Sequence, residues 1–357
     1  MAQHQKLSVG ILGLSHLHPR SYMTLFQAIP GVEVIAASDA NPSVLEGFVK
    51  DFQVRGYADW RELLDKERLN LAAIFLPHAD CPEAAVACAE RGTHVVVEKP
   101  MAASAEGVRQ MIAAARKAGV ILSTPYTWRY HPVAQEMRRL VVGGVTGRIV
   151  GCEGRCAAGR LSRYIDGHAG WMLEKARSGG GSMFNLGVHW IDLYRWMLSD
   201  EVVEVIGKTV RANPQYDIED NCFAFLTFAR GTVLALDISY TVPDSYPYGR
   251  DLYLALRGTS GVLSWSPSYE GVKERLFVCS DTGEYSQPAR QHLDFELPPQ
   301  PGYAGIMGLR FLTDLVESIR MGKPPTITGY DGLRALEVAE AVYQSAESGR
   351  SVKLQGR

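Results

Sequence analysis

A lysine in Glu98-Lys99-Pro100 and a histidine in Asn185-Leu186-Gly187-Val188-His189 are the side chains of this sequence best suited to moving a proton. An imidazole with an ordinary pKa of about 6.5 exchanges its proton near neutrality. An ammonium group can hydrogen-bond an oxygen on which negative charge develops. The lysine follows an apolar, strand-like run, and the histidine lies on a helix behind Gly179-Gly180-Gly181. Together they predict one proton-handling site of the kind a dehydrogenase needs. Asn185, His189 and Asp192 share one face of such a helix, so Asn185 is expected to orient the imidazole or bind a substrate hydroxyl, with Asp192 behind it. The plain alternatives are a core histidine, a flexible glycine loop and a structural Asp192.

A hydride acceptor needs a place as well. Gly13-Leu14-Ser15-His16-Leu17-His18 lies directly after the first strand-like run and partly matches the G-x-G-x-x-G of dinucleotide sites. Gly13 suits the tight turn, and Ser15 is a small replacement for the second glycine. His18 stands where the third glycine lets helix and strand pack closely, and Pro19 suits a first helical turn. Asp39, 21 residues past His18, is placed to accept from adenosine ribose hydroxyls, and no arginine follows it to meet a 2′-phosphate. NAD is therefore expected rather than NADP. A turn or cap role ahead of Asn41-Pro42 is the alternative for Asp39. His16 and His18 lack acidic or thiol partners nearby in sequence, so no metal site is expected.

The elements that must position these groups follow two rhythms. Up to about residue 120, strand-like runs at Leu7–Leu12, 32–37, 71–76 and 93–97 alternate with helical patterns at 20–28, 42–50, 82–91 and 104–118, the pattern of a parallel sheet with crossover helices. From about residue 145 longer strand candidates appear at 222–228, 232–241 and 252–256. They predict a mainly antiparallel sheet backed by helices at 187–197, Gly305–Met321 and 331–348. The boundary falls near 122–130, giving domains 1–124 and 125–357. Pro298, Pro299 and Pro301 read as a rigid connector.

A chain of 357 residues is long enough for two domains with their own cores. Its 37 basic and 39 acidic residues nearly cancel, so no strong field calls for nucleic acid or an anionic membrane. Cys81, Cys88, Cys152, Cys156, Cys222 and Cys279 form no CxxC pair and read as reduced thiols. The polar start and the glycines at 10 and 13 support neither a signal peptide nor a membrane span, so a cytoplasmic protein is expected. Arg155, Arg160, Arg163, Tyr164, His168 and Trp171 precede the glycines. Arginines suit a substrate carboxylate or phosphate, and aromatic faces suit sugar rings, with Tyr164 and Trp171 the candidates. A solvated loop or a subunit contact is the alternative.

With Leu76-Pro77 ending one strand, Glu98-Lys99-Pro100 the next, the run from Gly179 through Asn185 and His189 to Asp192, and Ile327-Thr328-Gly329-Tyr330-Asp331-Gly332-Leu333-Arg334-Ala335 near the end, the chain resembles the glucose–fructose oxidoreductase, inositol dehydrogenase and rhizopine-catabolism (Gfo/Idh/MocA) family. The resemblance implies an α/β protein: an N-terminal Rossmann domain with a parallel sheet, then an α+β domain with an open, mainly antiparallel sheet for substrate binding and oligomerisation. It implies an NAD-dependent dehydrogenase acting on the CH–OH group of a sugar, sugar acid or cyclitol. Lys99 and His189 match the family's catalytic lysine and histidine, Asn185 stands where aspartate is frequent, and Cys81 where histidine is common. Gly13, Ser15, His16, Asp39, Pro77, Glu98 and Lys99 are then the cofactor contacts, with Glu98 near the nicotinamide ribose. Arg129, Tyr164, Trp171, Asn185 and His189 are the substrate contacts, with Arg129 at the pocket mouth. A homodimer or homotetramer through the open sheet face is implied. Competing functions are NAD-assisted glycoside cleavage by transient oxidation and a non-catalytic dinucleotide-binding regulator.

Overall fold

The computed structural model describes residues 6–243, 245–268 and 272–354. The polar start read above as no signal peptide spans residues 1–6, of which 1–5 lie outside the described residues. The chain forms two compact units, each assembled from separate stretches: Met1–Thr127 with Ser162–Gly179 and Gln300–Arg334, and Trp128–Leu161 with Gly180–Pro299 and Ala335–Arg357.

The first unit alternates β1 (Leu7–Leu12), α1 (Pro19–Gln27), β2 (Val32–Ser38), α2 (Pro42–Phe52), β3 (Arg55–Tyr57), α3 (Trp60–Lys66), β4 (Leu71–Ile74), α4 (Cys81–Glu90), β5 (His94–Val97), α5 (Ala105–Ala118) and β6 (Leu122–Ser123). Its strands pair in parallel in the order β3-β2-β1-β4-β5-β6, so the order reverses between β1 and β4. In such sheets that reversal is where a dinucleotide binds. Strands covered on both faces must be apolar throughout, and Leu71, Ala72, Ala73, Ile74, Val95, Val96 and Val97 are all buried. The helices start where the sequence offers caps: Asn41 accepts from the backbone N–H of Ser43 and Val44 ahead of α2, and Ser104 accepts from Gly107 ahead of α5.

The chain continues with α6 (Pro132–Val142), β7 (Ile149–Ala158), the short α7 (Ser162–Asp166) and α8 (Lys175–Ser178), a π-helical turn at Met183–Gly187, and α9 (Val188–Leu198). Then come β8 (Val202–Val210), β9 (Asn221–Phe228), β10 (Val233–Ser239), β11 (Arg250–Gly258), β12 (Gly261–Trp265), β13 (Lys273–Ser280), β14 (Arg290–Glu296), α10 (Gly305–Met321), α11 (Gly329–Ser348) and β15 (Val352–Lys353). The second unit's nine strands run β14-β13-β12-β11-β7-β10-β9-β8-β15. Among the described residues of this sheet only β7 and β10 pair in parallel.

One face of this sheet is open. Along β9, Cys222, Ala224, Leu226 and Phe228 are buried while Phe223 and Phe225 are 46% and 57% exposed. The helix Gly305–Met321, expected behind this sheet, belongs instead to the first unit, where α10 packs against α1 and Arg320 donates to the Pro30 carbonyl. Among the described residues no helix is long and apolar enough to cross a membrane.

Candidate active site

The first unit builds its part around the β1–α1 loop. Gly13 has φ +89°, and a Cβ there would stand 2.8 Å from the Leu76 backbone nitrogen, so only glycine lets the loop turn against the end of β4. The N–H groups of Leu14 and Ser15 converge on one Asp39 carboxylate oxygen at 2.6 and 2.7 Å; the Ser15 hydroxyl and the Asn41 N–H supply its other oxygen at 2.9 and 2.8 Å. Two adjacent N–H groups aimed at one anionic oxygen form an anion nest, with Asp39 as its internal occupant. Those N–H groups are taken by Asp39, and what this unit leaves for a dinucleotide's phosphates is the switch point and the start of α1, which has no side-chain cap.

His16 and His18, which replace the usual small residues, are packed inward. His16 Nδ1 accepts from the His18 N–H at 3.1 Å, and Tyr303 lies 4.2 Å from His18 ring to ring. His18 Nδ1 stands 3.3 Å from a Glu98 oxygen. Burial pushes the Glu98 carboxyl above the usual carboxylate range, against the pull of Lys99, His16 and His78. Lys99 itself is only 4% exposed. Pro77 closes the turn after β4, its carbonyl accepting from Asp80 and Cys81. Cys81 is buried, which pushes its thiol far up and leaves it inert.

Tyr164 and Trp171 lie in the stretch Ser162–Gly179 that returns to this unit. Trp171 donates from Nε1 to the Ser15 carbonyl at 2.9 Å, and Tyr164, fully buried, receives Arg163 at 2.8 Å. The Trp171 indole thus braces the β1–α1 loop, while the Tyr164 hydroxyl is held within its own segment. The same stretch is tied down by His78, whose Nδ1–H donates to the Ser178 carbonyl at 2.7 Å. Burial holds the His78 imidazole at a pKa of about 4. In the unfolded chain it titrates at about 6.5. Between those values the unfolded state binds a proton that the folded state refuses. The contribution is therefore complete above about pH 6.5 and is lost as pH falls, up to about 3 kcal/mol in all. Urea unfolding at about pH 7.5 and about pH 5 should show a drop of about 2 kcal/mol from this residue, and His78→Gln should remove that part.

The second unit carries the other candidates on the π-helical turn and α9. Asn185 and His189 are 7% and 8% exposed, and a π-turn at such a place is a frequent mark of function. Asp192, on the same helix, receives Arg129 in a two-point ion pair at 2.8 and 2.5 Å, and Arg195 lies 3.9 Å away. Arg129, expected at a pocket mouth, is 6% exposed and holds α9. Arg155 is on the sheet, paired with Asp251 at 2.8 Å. Sequence reasoning missed Glu219, Tyr240 and Tyr343, which fasten the glycines. The one signal was the glycine run itself, since consecutive glycines mark a backbone pressed against something.

The family description "Oxidoreductase family, NAD-binding Rossmann fold" matches residues 7–126, and "Oxidoreductase family, C-terminal alpha/beta domain" matches residues 138–354. The chain is 25% identical over 356 residues to D-apiose dehydrogenase of Paraburkholderia graminis, covering 98% of this chain and 88% of that one. It is also 25% identical over 361 residues to myo-inositol 2-dehydrogenase of Thermotoga maritima, covering 98% and 99%. Among solved structures, the aldose-aldose oxidoreductase from Caulobacter crescentus complexed with glycerol superposes with a TM-score of 0.81 at 25% identity, covering 98% of this chain and 100% of that one. Both halves of the fold and both family matches agree, and the chain belongs to the Gfo/Idh/MocA oxidoreductases, with NAD as the cofactor of its Rossmann fold.

Proposed function

We propose that this protein is an NAD-dependent dehydrogenase moving a hydride between the nicotinamide and a secondary alcohol or ketone of a sugar, sugar acid or cyclitol. The observation that carries the reading is the burial of Lys99 at the end of β5. An ammonium group is costly to remove from water, and a lysine with no task would stay on the surface. NAD, when bound, supplies the hydride acceptor. Gly13, Ser15, His16, Asp39, Pro77, Glu98 and Lys99 would hold it, with the start of α1, which has no side-chain cap, offered to its phosphates.

His189 takes the hydroxyl proton as the alcohol is oxidised, and Lys99 donates a hydrogen bond to the oxygen as its negative charge grows. Asn185 orients the imidazole or binds a neighbouring hydroxyl. Arg129, Tyr164 and Trp171 shape the substrate's surroundings. A homodimer or homotetramer joined through the open sheet is part of this reading, supported by exposed Ile206, Val210, Phe223 and Phe225 on its face, an apolar patch that a monomer would rarely leave in water.

The test is reduction of NAD, followed by NADH absorbance, with a panel of aldoses, sugar acids, cyclitols and their aryl glycosides. NADH formation with at least one of them is the expected result. Aglycone release without net NADH, or tight NADH binding with no turnover on any compound, would overturn it.

A further inference from the structure

The segment that carries Asn185 and His189 begins without a cap of its own: neither Ser182 ahead of the π-helical turn nor Gly187 ahead of α9 makes a side-chain cap. The first N–H groups of a helical run need partners. They find one in Glu219, which sits in the connection between β8 and β9 and is 8% exposed. One Glu219 oxygen accepts from the Gly181 N–H at 2.9 Å. The other accepts from the Met183 N–H at 2.9 Å, the Ser182 hydroxyl at 3.2 Å and the Tyr343 hydroxyl at 2.8 Å.

The glycines exist for this approach. A Cβ on Gly181 would lie 1.8 Å from the Glu219 carbonyl oxygen, and one on Gly180 would lie 2.4 Å from the Tyr343 hydroxyl. The Tyr240 hydroxyl also donates to the Gly181 carbonyl at 3.2 Å, and Tyr343 stacks on Phe184 at 5.2 Å. The glycine run is thus a fastened backbone and not a loose loop.

We propose that Glu219 is the positioning residue of the proton-transfer helix: its carboxylate pins the backbone at Gly181 and Met183 and so sets where Asn185 and His189 stand. The role rests on the dehydrogenase reading above. A fixed anion at the start of a helix is also favoured by the helix dipole. Burial pushes the Glu219 carboxyl upward, while the Met183 and Gly181 N–H groups and the Tyr343 hydroxyl draw it back. No hydroxyl or amide in this set requires the acid to be protonated.

The test compares wild type, Glu219→Gln, Tyr343→Phe and His189→Ala, each normalised to its NADH-binding sites. Glu219→Gln turns one acceptor into a donor facing donors. It is expected to lower kcat at least about tenfold, to leave the NADH Kd within about twofold, and to accelerate amide exchange in the apo protein at residues 180–185. Tyr343→Phe removes one of the donors and leaves both backbone contacts, so its kcat should fall less than about threefold. Should Glu219→Gln fail to fold, Glu219→Asp, which keeps the charge but is too short to reach both N–H groups, is read by the same measures.

Unchanged kcat per NADH-binding site in the Glu219 variant, with His189→Ala inactive, would overturn the positioning role alone. Unchanged amide exchange at residues 180–185 would overturn the anchor itself. Wild type without turnover on any compound, with exchange still accelerated by Glu219→Gln, would fail the dehydrogenase reading and leave the anchor standing.

Discussion

His189→Ala and Lys99→Ala are each expected to lower kcat at least about a hundredfold while NADH binds nearly as before. The magnitude follows from what each group supplies. A positioned base contributes two to four orders of magnitude to a proton transfer, and a donor aimed at a developing oxyanion contributes about as much. In the proposed reaction both act on one oxygen, so the two losses should combine less than additively. The measurement is steady-state NAD reduction with the best compound of the panel, set beside NADH binding by fluorescence. Substrate KM should change less than kcat, since the lost interactions form mainly in the transition state. Turnover within about threefold of wild type in both variants would remove the assignment of proton transfer to these residues.

The parallel sheet was legible because burial on both faces leaves an unmistakable imprint. Leu71-Ala72-Ala73-Ile74 and Val95-Val96-Val97 are apolar without interruption, and Asn41-Pro42 and Ser104 announce their helices. Two elements between them were not. Arg55-Gly56-Tyr57 is a three-residue strand at the sheet edge with no buried residue. Trp60–Lys66 is a short, charged helix with just Leu63 and Leu64 turned inward. Edge strands and two-turn helices carry too few buried side chains to imprint a period. In the second unit, Phe223 and Phe225 on the open face blur the alternation of β9, because both faces of that strand look apolar in sequence. The return of residues 300–334 to the first unit has no local signal, since α10 would be amphipathic against either sheet.

At the candidate site, residue types were legible and partnerships were not. Lys99, His189 and Asn185 stand out by motif. Asp39 was expected to face a ribose, and in this structure its carboxylate is filled by loop N–H groups and the Ser15 hydroxyl. Glu219 meets Gly181 across 38 residues, Arg129 meets Asp192 across 63, and Trp171 meets Ser15 across 156. Such contacts depend on which loops the fold brings together, and no spacing rule encodes them.

The partnership of Arg129 with Asp192 carries the largest expected effect on stability. Asp192 is 1% exposed and Arg129 6%, so neither charge has water to fall back on. Removing one partner of a buried ion pair typically costs about 3 to 5 kcal/mol. Arg195 softens this little, because its guanidinium already serves Glu201 at 2.8 Å through two nitrogens. Arg129→Met is therefore expected to lower unfolding free energy by about 3 kcal/mol or more in urea, with kcat falling too as α9 loosens. The double variant Arg129→Met with Asp192→Leu removes both charges at similar volume. It should recover most of the lost stability, because a well-packed apolar pair is often as stable as the ion pair it replaces. A single variant that loses less than about 1 kcal/mol would show that the pair does not hold the helix. Recovery of stability in the double variant without recovery of kcat would separate the part of Arg129 in the fold from the substrate contact proposed for it.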